Sequence, residues 1–259
     1  MHKPKIIFFD IDGTLIDMEK KQITPVMLDT LRRLQANGIR ICLATGRSPM
    51  VVPHFEGVEF DATLTYNGSY CYTRSGETIF SNPIPASDLA LLIRNATDIG
   101  RPLCLATDSR LACNGSDKDL ADYFAIAKIA VNVVPDFDEV AKGTVYQIMM
   151  GGREDEYPAI LKDVQGAKIA AWWDRAVDII PATGGKGIGI RNMLDYYGID
   201  KADAMAFGDG NNDIEMLQAV GTGVAMENAS EKLKAVATDR CGHVANEGVY
   251  HYCMEHGLI

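Results

Sequence analysis

Two aspartates stand one residue apart in the run Phe8-Phe9-Asp10-Ile11-Asp12-Gly13-Thr14-Leu15, directly after the apolar stretch Ile6-Ile7-Phe8-Phe9. If the strand pleat continues, both carboxylates point to one face and Ile11 to the other. Two like charges so close are unfavourable unless a cation or a proton lies between them. Gly13 allows a sharp turn and a close backbone approach to a ligand. A solvated turn with incidental acids is the bland alternative, and this spacing after an apolar strand argues against it. A second cluster, Gly208-Asp209-Gly210-Asn211-Asn212-Asp213, also follows an apolar run. Asp209, Asn212 and Asp213 supply oxygen ligands suited to magnesium. It is not an EF-hand loop, because position six would be Ile214 and position twelve Val220.

Two shorter segments add phosphate chemistry. Thr45-Gly46-Arg47-Ser48 offers a hydroxyl and a backbone N–H just past Ile41-Cys42-Leu43-Ala44, which suits a phosphate oxygen. Taken alone, it is an ordinary strand-to-helix turn. Thr183-Gly184-Gly185-Lys186-Gly187 opens a helix with a lysine, which the helix dipole disfavours unless an anion is near. It is not a Walker loop: the first glycine and the Ser/Thr of that motif would fall on Ile180 and Gly187.

The elements that must position these groups alternate. Apolar runs at 5–10, 39–44 and 62–65 read as buried strands. Between the first two lies a helix over 25–37, with Thr24 as N-cap, Pro25 in the first turn, Gly38 as stop, and Val26, Leu28, Leu31 and Leu34 near helical spacing. The rhythm returns as a helix over 186–197, a strand over 203–208, a helix over 212–219, a strand over 222–226 and a last helix near 246–256. Strand–helix–strand repetition predicts an α/β fold with a doubly wound, mostly parallel sheet. The middle differs, with helices at 86–98 and 117–128 and strands near 102–107, 110–113, 144–150 and 168–173. Turn-rich borders, Asn82-Pro83-Ile84-Pro85 and Pro181-Ala182-Thr183-Gly184-Gly185, frame it. We therefore expect a core of residues 1–83 and 182–259, interrupted by an inserted α/β domain, 84–181, that acts as a substrate-selecting lid.

The chain has 259 residues and a formal net charge of −10, so nucleic acid and anionic membrane surfaces are poor partners. No apolar run is long enough to span a membrane, and the start leaves no room for a signal peptide. The six cysteines form no C-x-x-C pair and read as reduced thiols. A cytoplasmic protein is expected. The five histidines lack ligand spacing. Trp172 and Trp173 read as packing residues before substrate contacts.

In this order, the four segments resemble those of the haloacid dehalogenase superfamily, and the insert resembles the large α/β cap of its Cof-type phosphatases, subfamily IIB. The resemblance covers the whole chain and implies a Rossmann-like core. It implies a magnesium-dependent phosphatase acting on a small phosphorylated metabolite, foremost a sugar phosphate. Asp10 would be the nucleophile that forms an aspartyl phosphate, and Asp12 the acid and base. Magnesium would be held by the Asp10 and Asp209 carboxylates and the Asp12 carbonyl. Gly13, Thr45, Gly46, Lys186 and Asn212 would bind the phosphoryl group, and Asp213 would orient Lys186 or metal-bound waters. Arg47 and Asn67, at strand ends, are candidate substrate-side groups. Two rival readings are a sugar phosphomutase, whose architecture is similar, and a non-catalytic phosphate-responsive module. The latter would be about half this length and lack a lid.

Overall fold

A computed structural model describes residues 3–126, 128–171 and 173–259. Trp172, one of the two tryptophans singled out above, lies outside them. The chain divides into two compact units: residues 1–46, 53–80 and 185–259, and residues 47–52 with 81–184.

The first unit begins with β1 (Ile6–Phe9), α1 (Pro25–Ala36), β2 (Arg40–Ala44) and β3 (Ala62–Thr65). Thr24 caps α1, accepting from the Met27 N–H, and Pro25 sits in its first turn. The buried stripe of α1 is Met27, Thr30, Leu31 and Leu34, while Val26 is exposed. Leu31 and Leu34 are buried as expected, while Met27 and Thr30 complete the i, i+3, i+4, i+7 stripe in place of the expected Val26 and Leu28. A hairpin absent from the expected elements follows, β4 (Tyr70–Thr73) and β5 (Thr78–Ser81).

The second unit contributes α2 (Ala86–Asp98), β6 (Leu103–Ala106), β7 (Leu111–Cys113), α3 (Lys118–Ile126), α4 (Phe137–Val140), β8 (Gln147–Gly151), α5 (Tyr157–Ile160), β9 (Ala167–Ala170) and β10 (Ala176–Pro181). Its antiparallel sheet runs β7-β6-β8-β10-β9. Leu103, Leu105, Ile148, Met150, Val177 and Ile179 form one face of it and pack with Leu89, Leu92 and Ala96 of α2 and Ile160 of α5. Asp178 alternates with Val177 and Ile179, so it points to the other face, where its carboxylate accepts from the Tyr123 hydroxyl of α3 at 2.7 Å. The polar residue within an otherwise apolar run hid β10 from the sequence reading.

The chain returns to the first unit with α6 (Lys186–Tyr197), β11 (Ala204–Gly208), α7 (Ile214–Gln218), β12 (Thr222–Ala225), α8 (Glu231–Val236), β13 (Asp239–Arg240) and α9 (Gly248–Glu255). The large sheet runs β13-β12-β11-β1-β2-β3-β4-β5, parallel from β13 to β3, with β4 antiparallel to β3. Strand order climbs outward from β1 on one side and from β11 on the other, so the two strands flank a topological switch point. Ligands of open α/β sheets bind at the carboxyl ends of the strands there. All four residues of β1 are fully buried, as expected of a central parallel strand. No helix among the described residues is long and apolar enough to cross a membrane.

Candidate active site

Register decides which side chains meet. Phe9 pairs with Phe207 on one side and Leu43 on the other. Asp10 is therefore level with Gly208 and Ala44, one residue before Asp209 and Thr45. The Asp10 N–H donates to the Phe207 carbonyl at 3.0 Å. Beyond it the pleat does not continue. The Ile11 carbonyl accepts from Leu15 and Ile16, which curls the chain, and the Gly13 N–H donates to Ile16 O at 2.8 Å. Asp10 and Asp12 therefore do not line one strand face. Gly13 has φ 92°, and a Cβ there would overlap the Asp209 carboxylate. This is the close approach that requires glycine.

Lys186 is fully buried at the start of α6. Its ammonium donates to Asp10 at 2.6 Å and to Asp213 at 2.5 Å. Three glycines let the helix that carries it pack closely against its neighbours. A Cβ at 185, 187 or 189 would collide with the Glu215 carboxylate, the Glu215 main chain or Leu64 respectively. Asp213 is fully buried too, and its second oxygen accepts the N–H groups of Asp209 and Gly210, both at 3.0 Å. With both oxygens engaged by the protein, Asp213 holds the loop and the lysine.

Asp10, Asp209 and Asp213 bring ligand oxygens within 4.8 Å of one another. Burial pushes the Asp10 carboxyl up to about 7; Lys186 opposes this, while Asp213 and Asp12 add to it. Burial, then the charges of Asp10 and Asp213, push Asp209 up to about 9. Burial acts to lower the Lys186 pKa, but attraction to Asp10 and Asp213 outweighs it and leaves the ammonium above its ordinary value. Carboxylates held so far above their usual range form a set that lacks positive charge, and hard oxygen donors of this kind fit a small divalent cation such as magnesium. Asp12 is not a member of the converging triad.

On the β2 side, Thr45 is buried and its N–H donates to Leu64 O at 2.9 Å. Asn67 is buried and accepts from Asn212 Nδ2 at 3.0 Å, and its carboxamide lies against Gly46. Gly46, Asn67 and Asn212 are thus brought together. Arg47 belongs to the second unit, where its guanidinium donates to Val51 O at 3.0 Å. Two contributors escaped the sequence reading. Thr14 donates to Asp209 Oδ1 at 3.3 Å, and Asn228 donates to Gly13 O at 2.8 Å. The hydroxyl beside the first aspartate pair was a usable signal for Thr14. Nothing local marks Asn228.

Comparison with known proteins agrees with this geometry. Residues 7–253 match the family model of the haloacid dehalogenase-like hydrolases. The chain is 30% identical over 257 residues to the putative phosphatase YkrA of Bacillus subtilis, covering 98% of each. It is 29% identical over 271 residues to the same organism's 5-amino-6-(5-phospho-D-ribitylamino)uracil phosphatase YitU, again covering 98% of each. The solved structure of the subclass IIB sugar phosphatase BT4131 superposes with a TM-score of 0.89 at 27% identity, covering 98% of this chain and 100% of that one. A strand-end aspartate held by a buried lysine, on a fold and sequence shared from end to end with such enzymes, has one reading: the chain belongs to the haloacid dehalogenase-like hydrolases, among the phosphatases of subfamily IIB.

Proposed function

We propose that the protein hydrolyses the phosphate monoester of a small metabolite, foremost a sugar phosphate, through a phospho-aspartate on Asp10, with magnesium as cofactor. The observation that carries this reading is the Asp10 carboxylate, at the mouth of the central strand and bonded at 2.6 Å to a buried lysine. One Asp10 oxygen is anchored by Lys186, and the other attacks phosphorus as the P–O bond to the leaving alcohol breaks. Asp12 delivers a proton to the departing alkoxide oxygen. It then takes one from the water that attacks the acyl phosphate, which frees phosphate and regenerates Asp10. Thr45, the Gly46 N–H, Lys186 and Asn212 bind the phosphoryl oxygens, so the chain's part is positioning and charge neutralisation. The Gly13 N–H, expected among them, is already taken by the Ile16 carbonyl. Asp10 and Asp209, with the Asp12 main-chain carbonyl, would hold magnesium, while Asp213 supports the set from behind. Bound magnesium neutralises the carboxylates and the phosphoryl group.

The sugar-phosphate preference is supported by the similarity to BT4131, described as a sugar phosphatase. YitU is named for a phosphorylated ribitylaminouracil, so sugar-like polyol phosphates belong in the same test. The 84–181 insert is proposed to select among them, since all four phosphate-handling segments lie outside it. The test is a panel of hexose, pentose and polyol phosphates, flavin-related phosphates and pyridoxal phosphate, assayed for free phosphate with magnesium, with calcium and with chelator. Magnesium-dependent release without any bisphosphate activator is expected. Calcium should inhibit, because its longer bonds and higher coordination number let Asp10 bind with both oxygens. Full turnover in excess chelator would refute the cofactor assignment. A requirement for a bisphosphate would point to a mutase.

A further inference from the structure

The turn after β3 holds three successive residues at positive φ: Tyr66 at 51°, Asn67 at 51° and Gly68 at 93°. The region is disfavoured for residues with a Cβ, and asparagine enters it more readily than tyrosine does. Gly68 has no alternative, since a Cβ would overlap the Gly185 carbonyl in front of α6. The turn is thereby fixed against the segment that carries Lys186, and it presents a buried carboxamide, Asn67, which is 2% exposed. The Asn67 N–H donates to Thr45 O at 3.1 Å, and its side chain lies against Gly46, where a Cβ would come within 3.1 Å. Its Oδ1 accepts from Asn212 Nδ2 at 3.0 Å. A single residue thus touches both loops assigned above to the phosphoryl oxygens, although 145 residues separate it from Asn212.

We propose that Asn67 is a positioning residue: by accepting one N–H of the Asn212 carboxamide it fixes that side chain and directs the second N–H to a phosphoryl oxygen of the substrate. A carboxamide carries two N–H donors, and an unrestrained one samples several rotamers. Engaging one donor in a neutral, partly buried bond leaves the other oriented before substrate arrives, so little reorganisation is needed in the transition state. Asn67 then acts through Asn212, which replaces the expectation that it contacts the organic part of the substrate. The second half of the proposal rests on the phosphatase reading above; the Asn67–Asn212 link does not.

The test uses the full-length protein in two arms. In the first, Asn67→Gly keeps the left-handed backbone and deletes the acceptor. It is compared with Asn212→Ala and with the double variant, using p-nitrophenyl phosphate and magnesium. Loss of one oriented hydrogen bond is expected to lower kcat/KM about tenfold in each single variant, mainly in kcat. Asn67→Gly should cost less than about twofold more once Asn212 is already alanine. In the second arm, the Asn212 side-chain amide resonances, identified by their disappearance in Asn212→Ala, are followed by NMR. One proton should be protected in the wild type and lose that protection in Asn67→Gly. Protection should be retained in Asn67→Asp, which keeps an acceptor oxygen and tolerates the same backbone region. Unchanged Asn212 resonances in Asn67→Gly, or losses that multiply in the double variant, overturn the proposal. A wild type inactive on every ester would overturn the phosphatase reading, and with it the role of the second N–H. The resonances would still decide whether Asn67 orients Asn212.

Discussion

At residue scale, the Lys186 ammonium sits between Asp10 and Asp213, with Asp209 close to both carboxylates. Replacing it with methionine would leave three converging carboxyls without a cation from the protein. Breaking a buried charge pair in this way costs about 3–5 kcal/mol. We expect chelator-treated Lys186→Met to melt well below the wild type and magnesium to recover part of the loss; equal melting temperatures in chelator would contradict the electrostatic account. Asp10→Asn has the opposite profile. The amide cannot attack phosphorus, so turnover should fall by at least about three orders of magnitude. It also removes one of the crowded acids, so the fold should persist. Near-wild-type rates from a sequence-verified Asp10→Asn protein would sink the nucleophile assignment.

At the scale of elements, the second unit is pinned by a charged cluster that no motif announced. Arg101, just after α2, forms a two-pronged pair with Glu156 at 3.0 and 2.8 Å and also reaches Asp117 and Asp119. Asp119, on α3, also receives Arg153 at 2.7 Å. The bond from Arg153 and then that from Arg101 hold the Asp119 carboxyl below its ordinary value, and Arg101 does the same for Glu156. A depressed carboxyl contributes stability above its unfolded-state pKa and loses it as pH falls through the folded one. This contribution should therefore be complete at neutral pH and disappear on acidification below about 4. Arg101→Gln is expected to destabilise the protein by about 2 kcal/mol at pH 7, the cluster being only partly buried. The difference from wild type should shrink as pH falls towards 3, measured by urea melts at each pH. A difference that stayed constant with pH would mean that packing, and not charge, accounts for the role of Arg101.

At the scale of the molecule, the chain separates into a unit that carries Asp10, Asp12, Thr45, Gly46, Lys186, Asp209 and Asn212 and a unit with its own apolar core. If the insert selects the substrate, binding energy from the non-reacting part of the ester is used there to raise turnover. Substitutions on the insert should then re-rank sugar phosphates against one another by tenfold or more, on the order of one lost contact each. Hydrolysis of acetyl phosphate, which has almost no non-reacting part, should change little. Excising 84–181 and bridging the ends is the harsher measurement. A folded, insert-less protein that kept the parent ranking among metabolites would show that specificity resides in the other unit.

The sequence determined what is encoded locally. Four-residue apolar runs before Asp10, Thr45 and Asp209 sufficed for buried strands, and Thr24 with Pro25 sufficed for the start of α1, because each depends on neighbours within a turn or a strand. The order of motifs was enough to propose the chemistry. Tertiary structure alone decided the partners. Lys186 meets Asp10 across 176 residues, and Asn228 pins Gly13 across 215, because a parallel sheet closes through long crossovers that no sequence window spans. The same holds for Asn67: its neighbours in sequence suggested a strand-end substrate contact, whereas the left-handed turn and the β3 register bring it to Asn212. Asp178 shows the limit from the other side. A buried acid within an apolar run obscures a strand until the structure supplies the Tyr123 hydroxyl that makes its burial tolerable.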